Sequence, residues 1–154
     1  METLNNNNNS IDSLSKSPNR LVATIFGIVY LLIGIVGFFI TANVGFVAVK
    51  GENLLGIFEV NPLHNIVHVV VGLVLLAAGL KSIRYSKTAN ATVGGVYLLV
   101  GIIGLFIINS EMNILALNSA DNVLHFLTAI ILLGVGLGLE RNVATTRTSV
   151  GNLT

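Results

Sequence analysis

Four long stretches of the chain carry almost only apolar residues, and the charges collect in the shorter stretches between them. Residues 21–42 hold no charged side chain. At about 1.5 Å per residue, that run is enough helix to cross a hydrocarbon core about 30 Å thick. Comparable runs follow near 62–80, 91–108 and 120–139. The pattern therefore predicts an all-α integral membrane fold with four spans. Asn61 and Pro62 open the second run as an N-cap with proline at the first helical position, where its missing N–H costs nothing. Asn118 opens the fourth, and Asp121 three residues on is placed to complete a capping-box-like exchange.

The pattern is also duplicated. The run from Gly27 to Ile40 aligns with the run from Gly94 to Ile107 at an offset of 67 residues, and 61–68 aligns with 118–125 at an offset of 57. In the second pair Asn61, Asn65 and His68 recur as Asn118, Asn122 and His125, while Asp121 replaces His64. A removable secretory signal, whose apolar core is about 7 to 15 residues long, has no reason to be copied in mid-chain. Each unit holds two spans, so both copies enter the membrane in the same direction. The expected architecture is a four-helix bundle of two parallel-repeat hairpins, related by an axis along the membrane normal. At about 100° per residue, Gly27, Tyr30, Gly34 and Gly37 share one helix face, as do Gly94, Tyr97, Gly101 and Gly104. Asn65, His68, Gly72 and Gly79 form a stripe on the second span, matched by Asn122, His125, Ala129 and Gly136 on the fourth. Small residues at such spacing let backbones approach closely in lipid, so the four stripes are expected to face one another.

Composition agrees with a membrane protein. Hydrophobic residues make up 53% and charged residues 10% of the 154, with a mean hydropathy of +0.85, where soluble chains carry about 25% charged residues. Residues 1–20, with a five-asparagine run, serines and Pro18, are expected to be a disordered tail, and 140–154 a loose one. The segment 43–60 mixes Lys50, Glu52 and Glu59 with apolar residues, and part of it is expected to lie along the membrane surface. Lys81, Arg84 and Lys87 read as a short basic connection. A net charge of +1 gives no reason to expect a nucleic-acid partner. The absence of cysteine excludes disulfides, thiolate metal sites and thiol nucleophiles.

The placement of the charges predicts orientation. Lys16, Arg20, Lys81, Arg84, Lys87, Arg141 and Arg147 flank one side, and Lys50 alone flanks the other. Cytoplasmic flanks carry the excess of Lys and Arg, so both termini are expected in the cytoplasm and both Asn/His stretches near the outer leaflet.

Those stretches hold the candidate chemistry. His64 and His68, and likewise Asp121 and His125, are four residues apart on a helix, so two adjacent helices would offer three imidazoles and a carboxylate, a ligand set for Zn²⁺ or another divalent ion. His68 and His125 would also serve as axial ligands of a haem, and Asp121 with the histidines as a proton relay. Glu59, beside the second helix, is a further candidate ligand. The competing reading is structural: Asn61 and Asn118 cap helices, while Asn65, Asn122, His68 and His125 bond across them at about 1 kcal/mol each or less. None of the Gly-x-Ser-x-Gly, phosphate-loop or His-Glu-x-x-His motifs occurs. The expectation is thus a non-enzymatic structural or accessory membrane component, with no cofactor favoured, whose partners are the lipid bilayer and either further copies of itself or other membrane proteins. Its rivals are a metal- or haem-binding membrane protein and a small transporter or channel subunit.

The segment from Leu55 to His68, then a Val-Tyr-Leu-Leu-x-Gly-x-x-Gly span, then the segment from Ala120 to His125 together resemble the bacterial four-span family catalogued as domain of unknown function 4383. The resemblance covers residues 20–139 and is most specific at Asn61, Pro62, His64, Asn65, His68, Asp121, Asn122 and His125. It implies a small prokaryotic plasma-membrane (inner-membrane) protein with four helices, and it implies no reaction.

Overall fold

The computed structural model describes residue 14 and residues 16–139. Most of the tail expected over 1–20, and all of that expected over 140–154, lies outside the described residues. Four helices carry the chain: α1 (Pro18–Ile40), α2 (Pro62–Lys81), α3 (Ile83–Ile107) and α4 (Ser119–Gly138). Each is long and apolar enough to cross a membrane.

Three boundaries depart from the hydropathy pattern, and each has a local cause. Helix α1 starts inside the expected tail, because Ser17 accepts a hydrogen bond from the Arg20 N–H at 3.2 Å and Pro18 takes the first turn. Helix α3 starts at Ile83 rather than near residue 91, and only Ser82 separates it from α2. Residues 83–91 contain no glycine or proline, and Lys and Arg are good helix formers. The basic connection is therefore mostly helix. The segment 43–60 adds a small antiparallel sheet to the otherwise all-α fold: β1 (Glu52–Leu54) and β2 (Phe58–Val60), with Leu54 opposite Phe58. Leu55 and Gly56 turn it with φ of 55° and 77°, the positive values that a tight hairpin turn demands.

α1 packs most closely on α2, and α3 on α4. Both pairs are antiparallel and closed by glycine against backbone. A Cβ on Gly27 would lie 2.5 Å from the Leu76 nitrogen, and one on Gly94 would lie 2.8 Å from the Leu133 nitrogen. Gly79 meets Thr24, and Gly136 meets Ala91. Where the two pairs meet, the core is Ala23, Tyr30, Leu75, Ala89, Val93, Tyr97, Ala129 and Leu132. Large apolar side chains such as Phe39, Phe106 and Ile130 point outward, as lipid-facing residues do.

Among the described residues, charge divides by end. Lys16, Arg20, Lys81, Arg84 and Lys87 lie at the end with the Ser82 turn, while Lys50, Glu52, Glu59, Glu111 and Asp121 lie at the end with the β-hairpin. Asn90 ties the basic end together by donating to the Asn19 carbonyl at 3.0 Å and to its side-chain oxygen at 3.1 Å.

Candidate functional site

All three histidines of the chain meet at the hairpin end of the helices. His64 and His68 come from the first two turns of α2, and His125 from the second turn of α4. All three are buried, and one ligand nitrogen from each lies within 4.8 Å of the others. The ring of His64 stands 4.4 Å from that of His68 and 6.1 Å from that of His125. Tyr30 packs on His68 at 5.3 Å and Tyr97 on His125 at 5.1 Å, while the two tyrosines face each other at 5.3 Å. Five rings thus close a loop between α1, α2, α3 and α4. The Tyr30 hydroxyl is 3.1 Å from Thr128 Oγ1 on α4.

The asparagines sit differently. Asn61 accepts from the His64 N–H at 2.9 Å, and its amide donates to the Ala48 carbonyl at 2.9 Å and the Ile114 carbonyl at 2.8 Å. It therefore caps α2 and ties down both connecting segments at this end. Asn118 caps α4 in a capping box with Asp121, and donates to the Ile57 carbonyl at 2.8 Å. Asn65 donates to Thr41 Oγ1 at 2.9 Å, and Asn122 to the Gly101 carbonyl at 3.0 Å. Their side-chain oxygens press on Gly37 and Gly104, where a Cβ would collide with the amide. The asparagines thus fasten each helix to its neighbour.

The Oδ1 atoms of Asn65 and Asn122 have no hydrogen-bond partner, and the histidine rings likewise leave an atom open. The Nδ1 atoms of His64, His68 and His125 are buried without a hydrogen-bond partner. A buried polar atom left unpaired costs about 1–3 kcal/mol, and here three occur side by side. Four zinc ligands in a tetrahedron are about 3.3 Å apart for Zn–N bonds of about 2.0–2.1 Å. The observed spread is wider, by an amount that small rotations of the imidazoles can close. Beside His68, His125, Asp121 and Tyr30 is a cavity of about 40 Å³, and a second of about 30 Å³ borders His64, His68 and His125. The first has room for a water as a further ligand. Neither has room for a porphyrin, so the axial pairing expected of His68 and His125 lacks the space that a haem needs.

Asp121 is not part of the trio. Its Oδ2 accepts from the Asn118 N–H at 2.9 Å and from the Glu59 N–H of β2 at 3.1 Å. The four-ligand set expected from the sequence is therefore three imidazoles with a carboxylate bordering the adjoining cavity. Glu59 stands apart too, its Oε1 accepting from the Gly51 N–H at 2.7 Å. The residues that sequence reasoning missed are Tyr30 and Tyr97. Both fall on the glycine stripes, and Tyr97 repeats Tyr30 at the offset of 67 just as His125 repeats His68 at 57, which was the signal that could have linked them.

Four membrane-crossing helices with a polar ring cluster buried between them define a multi-pass helical membrane protein. Within that class, residues 20–138 match the family described as domain of unknown function (DUF4383), and the chain belongs to it. No curated protein and no solved structure matches the chain.

Proposed function

We propose that this protein is a multi-pass component of a prokaryotic plasma membrane that binds a late first-row divalent metal ion through His64, His68 and His125. Two observations carry the reading: the three buried imidazoles each bring a ligand nitrogen within 4.8 Å of the others, and each leaves its Nδ1 without a hydrogen-bond partner. Asn65 and Asn122 each keep one cross-helix hydrogen bond through Nδ2, whereas what sets the histidines apart is that their open atoms belong to three rings gathered in one place. An all-imidazole set without sulfur suits Zn²⁺ or Cu²⁺, whereas Mg²⁺ and Ca²⁺ seek oxygen. The function proposed is binding and not a reaction, since the carboxylate nearest the rings already holds a helix cap and the β-hairpin.

The architecture proposed with it is a bundle of two like-oriented hairpins, α1–α2 and α3–α4. The support is that contacts recur at the two sequence offsets: Gly27 on Leu76 and Gly94 on Leu133, Gly37 on Asn65 and Gly104 on Asn122. The basic end is assigned to the cytoplasm from its excess of Lys and Arg, which puts the histidines in the outer half of the membrane.

The test is elemental analysis of protein purified in mild detergent, followed by titration of metal-stripped protein with Zn²⁺ and with Co²⁺ as a spectroscopic probe. One ion per chain is expected, with visible Co²⁺ bands of a four-coordinate nitrogen-rich site. Each of His64→Ala, His68→Ala and His125→Ala should weaken binding more than about tenfold, while Asn118→Ala should not. Stoichiometric binding that survives all three histidine substitutions, or no binding by the folded protein, would overturn the reading.

A further inference from the structure

At the opposite end of the molecule from the histidines, α2 and α3 diverge from the Ser82 turn and leave an open trough of about 410 Å³ facing the lipid. Its walls are mostly small or short side chains, among them Ala77 and Ala78 on α2 and Thr88 and Thr92 on α3, with Tyr85 the one large ring. Lys81 stands at its lip, with its ammonium 4.0 Å from the centre of the Tyr85 ring. Arg84 and Lys87 follow in the first turns of α3, outside the lining of the trough itself. The acids among the described residues, Glu52, Glu59, Glu111 and Asp121, all belong to the other end. The trough is therefore apolar along its length and positively charged at its mouth, with no described carboxylate beside it.

We infer that this trough is a binding site for one anionic phospholipid, with an acyl chain lying between α2 and α3 and the phosphate held by Lys81 and Arg84. The charge pattern selects the occupant. A zwitterionic lipid brings its own cation to a rim that is already cationic, while an anionic headgroup gains about 1 kcal/mol per nearby Lys or Arg. The trough supplies what a bare basic surface does not, since an acyl chain laid in it removes apolar wall and apolar tail from looser contacts at once. This inference is independent of the metal reading, which concerns the other end of the helices.

The experiment is native mass spectrometry of the full chain released from nanodiscs containing phosphatidylglycerol and phosphatidylcholine in equal amounts. One phosphatidylglycerol is expected to stay bound in preference to phosphatidylcholine. The double variant Lys81→Ala/Arg84→Ala should lower that preference by more than about tenfold, from about fivefold per cation removed. Thr92→Phe keeps the charges and fills the trough, and it should abolish retention. Thr88→Phe, on the same wall, should do the same and guards against a fold defect peculiar to one variant. Equal retention of the two lipids would overturn the inference. So would a preference that survives both phenylalanine variants, which would mean a basic rim without a chain site. Displacement of the bound lipid by millimolar inorganic phosphate would also overturn it, because the phosphate group alone would then be the ligand.

Discussion

The division of labour among the buried polar residues is set atom by atom. Asn65 and Asn122 occupy equivalent places in the two halves, yet their donors differ: Asn65 reaches Thr41 Oγ1 and Asn122 reaches the Gly101 carbonyl. The cause lies in the facing helix, where Ile108 stands at the position equivalent to Thr41 and offers no hydroxyl. An amide that cannot find a side-chain acceptor takes a backbone one. Asn61 is the most heavily used of these residues, since its one side chain serves a helix N-terminus and two carbonyls from different connecting segments. Asn61→Ala would lose the cap, worth about 1 kcal/mol, and strand two carbonyls at about 1–3 kcal/mol each where water does not reach them. A loss of about 3 kcal/mol or more is expected, read as a lower midpoint of thermal unfolding in detergent. Asn118→Ala, which frees a cap and one exposed contact, should lose less than half as much. The capping role of Asn61 was legible in its place before Pro62. Its bonds to Ala48 and Ile114 were not, because they join residues 13 and 53 apart with no periodicity to reveal them.

At the scale of the helices, the glycine stripes were read correctly as contact faces because 3.6-residue periodicity survives in a membrane span even where hydropathy is uniform. What uniform hydropathy hides is where a helix begins. Ser17-Pro18 and Ser82 are ordinary caps, but they lie beside charged residues that shorten the apolar run. The β-hairpin was equally hidden, since two strands of three residues each are too short to show alternation. The helical glycines are also not equivalent. A Cβ on Gly27 would press on the Leu76 backbone, which cannot rotate away, whereas Gly95 and Gly134 have nothing within 4 Å. Gly27→Ala is therefore expected to destabilise by about 1–3 kcal/mol through forced separation of α1 and α2. Gly95→Ala and Gly134→Ala should be neutral or stabilising by up to about 1 kcal/mol, the helix-propensity gain. Unfolding midpoints of the three variants in one detergent would decide it, and equal effects at all three would mean that the close approach of α1 to α2 carries no stability.

For the molecule as a whole, the segregation of charge ties orientation to function. Five of the six described Lys and Arg residues sit at one end, and all four described acids at the other. Moving a Lys or Arg through the bilayer centre costs about 2.5–3.5 kcal/mol even on the most lenient scale, which is the physical basis of the orientation proposed above, with the basic end in the cytoplasm. Asn61, Asn113 and Asn118 satisfy carbonyls of the connecting segments on the histidine side. Because the chain has no cysteine, single cysteines report side without background. In intact cells an impermeant maleimide should label Glu111→Cys and leave Arg84→Cys unlabelled until the membrane is opened. The reverse labelling would place the three imidazoles in the inner half of the membrane. A metal would then reach them from the cytoplasm, where competing ligands hold free zinc and copper scarce. With the expected labelling, the ion proposed for the three imidazoles would come from the external medium.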